Sequence, residues 1–460
     1  MLQDLLTAKK ADFKDYTELR AQVNSTQQVT LLSGNMTANA QSATGGVAAR
    51  VYKGGTFGFA SAAAYNHDSV SNVLKAATDN AIFMDSHVKK GKPPLPVVTG
   101  AKMDLRKFPS EPINQKLLID FAKGLDEMIV KKCKNLSSRT VVSNCLNMEK
   151  LLVVSDGADS HFYQPRAMAY VIMTAETKDG DQVELFKALG GFGHFDEHFT
   201  DPSAYAWEID ELYEHLMAKR EGVFADAGMK KCIIHPDLAG MLAHEAVGHT
   251  VEADLVLGGS VAGPNLNKQV ASELVSMTDF AHTAFGKTCP LPVYVDDEGT
   301  PAEDAILIDK GILKGYMHNK ESARHFGVTP QGNARAFAFS DEPLIRMRNT
   351  VILPGQSKLD DMIASVEDGY YLIKTGNGQA DSTGEFMFSV DLSYEIKGGK
   401  IGKAIRETTI SGVAFEMLKT VDMVSDDMTW DVAGFCGKKQ PMTCSMGGPA
   451  LRCDMNIGGR

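Results

Sequence analysis

The sequence has no apolar run long enough to cross a bilayer. Stretches such as Tyr170-Val171-Ile172-Met173 stop far short of the ~20 residues that a span requires, so no membrane partner is expected. Basic charge is not in excess either. Lys and Arg total 47 against 58 Asp and Glu, a net charge of −11, the wrong sign for a chain that grips phosphate backbones. Nucleic acid is therefore not an expected partner. Cysteine is scarce: Cys133, Cys145, Cys232, Cys289, Cys436, Cys444 and Cys453 are odd in number and unevenly spaced, which excludes a disulfide framework. The first ten residues lack a basic start followed by an apolar core, and they predict an amphipathic helix over about Leu2 to Ala11 rather than a secretion signal. These absences point to a reduced, cytoplasmic protein without a repeat of fixed period or a low-complexity tract.

What is present is an ordinary globular composition, 43% hydrophobic over 460 residues, enough for more than one domain. The fold class is α+β. Strand-like runs are expected around Tyr16 to Val23 and Gln28 to Leu32, then a hairpin over Gly45 to Ser61 with Gly54-Gly55 as its turn. A helix from about Asp68 to Met84, capped by Asp68 or Ser69, carries Val70, Val73, Leu74 and Ala77 on one face. A second, from about Glu111 to Lys132, carries Leu117, Leu118, Phe121, Leu125 and Ile129. Strands around Val141 to Leu146, Glu149 to Ser155 and Ala167 to Ala175, and a helix over about Ala204 to Ala218, complete an N-terminal α+β region with a mixed sheet and long helices, residues 1–222, with a Lys-Gly-Lys-Pro-Pro-Leu-Pro linker at 90–96 and a sub-boundary near 90–110. After residue 225 short strands with glycine turns dominate (Val293 to Gly299, Ile306 to Gly311, Thr350 to Gly355, Phe386 to Val390), giving a β-rich second domain over 223–460.

The sharpest motif is His244-Glu245-Ala246-Val247-Gly248-His249, on a helix begun at Pro236-Asp237. Two imidazoles and a carboxylate within six residues supply neutral nitrogen ligands and an adjacent general base, the needs of a hydrolytic zinc site. The histidines are five apart. At about 100° per residue that leaves them ~140° apart on a regular helix, too far round to share one ion. One residue accommodated as a π-bulge restores the geometry, with Gly248 as the place for the distortion, so a helix irregularity is predicted between His244 and His249. A rival, His194-Phe195-Asp196-Glu197-His198, matches an inverted zinc pattern but lies between Gly190-Gly191-Phe192-Gly193 and Pro202, and reads as a solvated loop.

A catalytic zinc usually has three protein ligands. The third is open between the nearby carboxylates Glu252 and Asp254 and the distant Cys436, flanked by glycines in Gly434-Phe435-Cys436-Gly437-Lys438. At this point the chain resembles the TldD/PmbA family of zinc metallopeptidases. The resemblance is carried by Gly46 to Ser61, His244 to Asp254, Val295-Asp296-Asp297-Glu298-Gly299-Thr300-Pro301, Gly332-Asn333-Ala334-Arg335, Arg346-Met347-Arg348-Asn349-Thr350 with Leu353-Pro354-Gly355, and Cys436-Gly437-Lys438, in that order. The H-E-x-x-x-H helix places it with the TldD-type chains.

That resemblance implies one zinc per chain bound by His244, His249 and Cys436, with Glu245 as catalytic base. It implies a β-barrel-like C-terminal domain, hydrolysis of small or unfolded peptides, and assembly as a homodimer or as a heterodimer with a PmbA-type chain. The departures are Gln331 and Ala334, and the stretch Lys439 to Pro449, where Cys444 adds a second thiol; the Cys-Gly-Lys context favours Cys436. Glu252 and Asp254 are then candidates to orient the histidines, and Arg346 and Asn349 to clamp the substrate. An exposed strand of the β-rich domain offers main-chain pairing to an extended peptide. A zinc amidase or deacetylase acting on small molecules is the alternative within hydrolases, and a non-catalytic regulatory subunit of a TldD/PmbA-type complex the alternative outside them.

Overall fold

The computed structural model describes residues 2–99, 102–105 and 114–459. Its first layer is a seven-stranded sheet in the order Thr56–Ala62, Asn35–Lys53, Tyr16–Leu32, Ser138–Val154, Asp159–Glu176, Lys102–Leu105, with Gln182–Phe192 also paired to Asp159–Glu176. Only Lys102–Leu105 runs parallel to its neighbour among these pairings. The two runs expected at Tyr16 to Val23 and Gln28 to Leu32 are one strand, as are those at Val141 to Leu146 and Glu149 to Ser155. The reason lies in the neighbours. Asn24 to Gln27 pair with Thr44 to Gln41 on one side and Met148 to Cys145 on the other, so the ladder satisfies their backbone whatever the side chains prefer. The turn at Gly54-Gly55 forms as expected, both residues at positive φ.

Helices His67–Val88 and Gln115–Lys132 supply the apolar faces read from the sequence. Val70, Val73, Leu74, Ala77 and Ala81 pack on Leu19, Ala21, Val47, Ala49 and Val51, and Leu118, Phe121, Leu125 and Ile129 on Val29, Leu31 and Val141. The first helix is capped by Asn66, whose Oδ1 accepts from Ser69 N at 2.9 Å, rather than by Asp68 or Ser69. The second is capped by Asn114; Glu111 to Ile113 of the expected helix, and residues 100–101 and 106–110 of the expected sub-boundary, lie outside the described residues. Leu117, expected on the buried stripe, is exposed.

Residues after 225 form a closed five-stranded barrel, Asp368–Ala380, Gly228–Ile234, Leu451–Ile457, Thr408–Val413 and Glu385–Lys397, the last pairing back to the first. Beside it lies a six-stranded sheet in which Met277–Phe280, Asn349–Ile352 and Ser445–Gly448 are central. The expected strand at Val293 to Gly299 is a turn instead: Asp296 Oδ1 accepts from Glu298 N and Thr300 N, both at 2.9 Å, which folds the segment back on itself. The turn presents its carboxylates to the polar face of the first sheet. Half-buried Lys150 donates to buried Asp297 at 2.8 Å, and Arg50 bridges Glu18 and Glu298, all three buried.

The centre of the six-stranded sheet is a buried hub on Asp279. Its Oδ1 accepts from Arg348 N, Asn349 N and Thr350 Oγ1, and its Oδ2 from Arg348 Nε and Asn333 Nδ2, at 2.8–3.0 Å. Removing one member of a buried ion pair leaves the other charge uncompensated. Asp279→Ala is therefore expected to destabilise the fold by about 3–5 kcal/mol, read as a lowered urea midpoint.

Candidate metal centre

Helix Pro236–Met241 runs between barrel and sheet and continues into a π-helical turn, Leu242–Gly248. Its small residues let it pack closely: a Cβ on Gly240 would stand 2.9 Å from the backbone of Gly447. The irregularity expected from the five-residue histidine spacing is this turn. His249 N–H donates to His244 O, five residues back, and the two rings come to one side with centroids 5.2 Å apart. Gly248 itself has ordinary helical angles, φ −53° and ψ −48°. What it permits is the approach of Met347, whose sulfur would lie 2.2 Å from any Cβ placed there.

Cys436 reaches the same place from a hairpin, Phe435–Lys438 with Gln440–Thr443, turned by Lys439 at φ +59°. Its Sγ lies 3.2 Å from His249 Nε2, and one donor atom from each of His244, His249 and Cys436 lies within 4.8 Å of the others. Donors around one tetrahedral zinc stand roughly 3.5 Å apart, so a small rotation of side chains brings these three into range. The state of His244 bears on whether they fit an ion. It is wholly buried, and neither ring nitrogen has a hydrogen-bond partner among the described residues. Orphaned buried nitrogens cost about 1–3 kcal/mol each, a penalty that a bound cation relieves. Burial, reinforced by the charges of His249 and Arg346, holds the His244 pKa well below its ordinary value, leaving the neutral form that coordinates metal.

His249 is held the other way. Burial opposes its charge, but hydrogen bonds to Cys436 and Glu252 and their negative charges outweigh it and push it up to about 10. Its Nδ1 donates to Glu252 Oε2 at 2.9 Å, which fixes the ring and turns Nε2 toward Cys436. Glu252 is fully buried and paired to Lys438 at 3.2 Å, and Lys438 donates in turn to Asp254 at 2.7 Å. Asp254 thus stands one step further from the rings than Glu252. Glu252→Gln keeps the shape but weakens the acceptor behind His249. Zinc affinity is expected to fall about 10–100-fold, measured by competition with a chromophoric chelator.

Glu245 points into the space between the rings, its oxygens 3.9 Å from His244 Nε2 and 3.7 Å from His249 Nε2. Burial raises its pKa, opposed by the charge of His249 and helped by that of Glu252. With 29% of its side chain exposed, against 24% for His249 and 1% for His244, it is the most open member of the group.

Arg346 and Asn349, expected to clamp substrate, are buried and occupied elsewhere. Arg346 donates to the carbonyls of Cys436, Gln440 and Lys438 at 2.7, 2.8 and 3.3 Å, so it props the hairpin that carries the thiol. Asn349 bonds Leu291 N and O and Phe280 O at 2.8–3.0 Å, and belongs to the sheet. Cys444 is buried beside Cys436 with Met446 and Met241 but is outside the three-residue group, and burial pushes its thiol far up.

The rival at 194–198 is not the solvated loop expected. Phe195–His198 is one helical turn whose Phe195 packs on Phe121 and Phe199. Glu197 is used as a cap, accepting from His194 N at 2.7 Å, and His198 Nε2 bonds Phe192 O. Among the described residues these side chains form no metal-capable group. Lys438 and Met347 were missed as supports of the centre. The alternation Cys436-Gly437-Lys438 on a strand was the available sign that Cys436 and Lys438 share a face.

Residues 227–459 match the model of the PmbA/TldA metallopeptidase C-terminal domain, and residues 17–81 that of PmbA/TldA metallopeptidase domain 1. The metalloprotease TldD homolog of Haemophilus influenzae is 30% identical over 464 residues, spanning 97% of this chain and 93% of that protein. The chain belongs to the TldD/PmbA family. Within that family, the zinc metalloprotease TldD homolog of Saccharolobus solfataricus is 33% identical over 253 residues, covering 55% of this chain and 56% of that protein. Among solved structures, TldE from Thermococcus kodakarensis superposes over 100% of both chains with a TM-score of 0.77 at 17% identity, a likeness of fold alone. The TldD/PmbA fold thus accounts for the sheet, the barrel and their order along the chain.

Proposed function

We propose that this TldD/PmbA member is a zinc-dependent peptidase that cleaves small or unfolded peptides, with the ion held by His244, His249 and Cys436. The observation that carries the reading is the convergence of two imidazoles and a thiol from distant segments around a fully buried, unpartnered His244. Two imidazole nitrogens and one thiol sulfur suit zinc better than calcium or magnesium, which favour oxygen. Zinc bound there supplies an acidified water and a Lewis acid for the substrate carbonyl.

The chain's own residues provide the rest. Glu245, between the two rings and open on one side, takes the proton of the attacking water and returns it to the leaving amine; burial raises its pKa, which makes it a stronger base than an ordinary carboxylate. Glu252 orients His249 through Nδ1, and Lys438 balances the Glu252 charge. Arg346 fixes the backbone of the Cys436 hairpin.

The test is a substrate panel on purified protein whose zinc has been counted. Peptides of increasing length should be turned over, with acetylated amines and small amides left intact. Turnover confined to the small amides would replace the peptidase reading with an amidase one. Protein that never retains zinc would favour a non-catalytic subunit.

A further inference from the structure

The hairpin that carries Cys436 gathers sulfur atoms that the zinc reading leaves unused. Cys436, Cys444 and Met446 form one buried cluster, with half-buried Met241 packed against it. Cysteine and methionine together are 29 of the 460 residues, yet all four side chains here carry sulfur. Strand register brings the two thiols together. Cys436 pairs with Met442, and Cys444 N donates to Gly434 O at 3.1 Å, so Cys436 and Cys444 are diagonal neighbours on one face of the hairpin. Gly434 marks where the others converge: a Cβ there would stand 3.1 Å from Cys444 Sγ and 2.9 Å from Met446 Cε.

The surroundings are cationic. Arg166, Arg335 and Arg346 are buried, and their guanidinium groups donate to the carbonyls of Val432, Met347, Thr443, Cys436, Lys438 and Gln440, with Thr443 Oγ1 the one other acceptor. Among the described residues none of the three is ion-paired, whereas buried charges are normally paired. The charges of Arg335 and Arg166 reach Cys444, and that of Arg346 reaches Arg335. We propose that Cys436, Cys444 and Met446 form a site for a soft monovalent cation, Cu(I). Thiolate and thioether sulfur select that ion, while zinc gains little from a thioether. One Cu(I) on two thiolates carries a charge of −1, which the guanidinium groups offset; both thiol protons leave to water and the copper stays Cu(I). Zinc takes the histidine side of Cys436 and copper the sulfur side, so the thiol serves one ion at a time. That competition rests on the zinc reading; the copper site does not.

The test is anaerobic titration of the metal-free full chain with Cu(I) held by bicinchoninate, whose absorbance reports the transfer. Wild type should take up one copper per chain, with only sulfur in the copper shell by X-ray absorption. Cys444→Ser should lower copper affinity at least ~100-fold while zinc still binds. Met446→Leu, which keeps size and apolar character, should lower it about 10-fold. Far-UV circular dichroism like that of wild type checks that both variants are folded. Zinc-loaded wild type should release its zinc as copper is added. A wild type that takes no copper from bicinchoninate, folded variants that bind it as tightly as wild type, histidine nitrogen in the copper shell, or zinc retained beside bound copper would each overturn the proposal. Protein that binds copper as expected but never retains zinc would uphold this site and strike the zinc reading alone.

Discussion

Glu245→Gln is expected to lower kcat for peptide hydrolysis by about 10²–10⁴-fold with zinc retained at one ion per chain. The expectation follows from where Glu245 stands. It contributes none of the three closest donor atoms, yet its carboxylate lies within 4 Å of both imidazoles and is the most exposed part of the group. Glutamine has the same shape and can still hydrogen-bond, but it cannot accept and return a proton. The ligand set and its buried surroundings are untouched, so metal content measured by atomic absorption should match wild type while single-turnover cleavage is lost. Loss of both zinc and activity would mean that Glu245 is a ligand. Unchanged activity would remove it from the chemistry.

Cys436→Ser should cost the protein its zinc, lowering affinity at least ~100-fold, whereas Cys444→Ser should leave it bound. A serine hydroxyl does not ionise near neutral pH, so the site loses its one anionic donor as well as its soft one. The two cysteines are separated first by geometry. Cys436 Sγ is 3.2 Å from His249 Nε2, while Cys444 is buried two positions past the residue that pairs with Cys436 and lies outside the donor group. The paired measurement is zinc stoichiometry after dialysis against a weak chelator. Retention by Cys436→Ser and loss by Cys444→Ser would reverse the assignment.

The candidate centre was half legible before folding. A spacing of five between His244 and His249 is incompatible with a shared ion on a regular α-helix, and it correctly called for a backbone irregularity. The role given to Gly248 was wrong in its cause: it relieves a packing contact with Met347, which no local pattern encodes. Arg346 and Asn349 were misread because polar residues near a candidate site look the same whether they face substrate or satisfy backbone carbonyls. Only their burial and partners separate the two.

Local spacing by itself determined the apolar faces of the helices, the Gly54-Gly55 hairpin and the need for a π-turn, because each depends on residues a few positions apart. Tertiary structure alone decided that the sulfur beside His249 belongs to a residue 187 positions away and that runs such as Tyr16 to Leu32 are single strands. In both the deciding partner is remote: a ladder neighbour, or a guanidinium behind a hairpin. Its contribution exists only once the chain has closed around it.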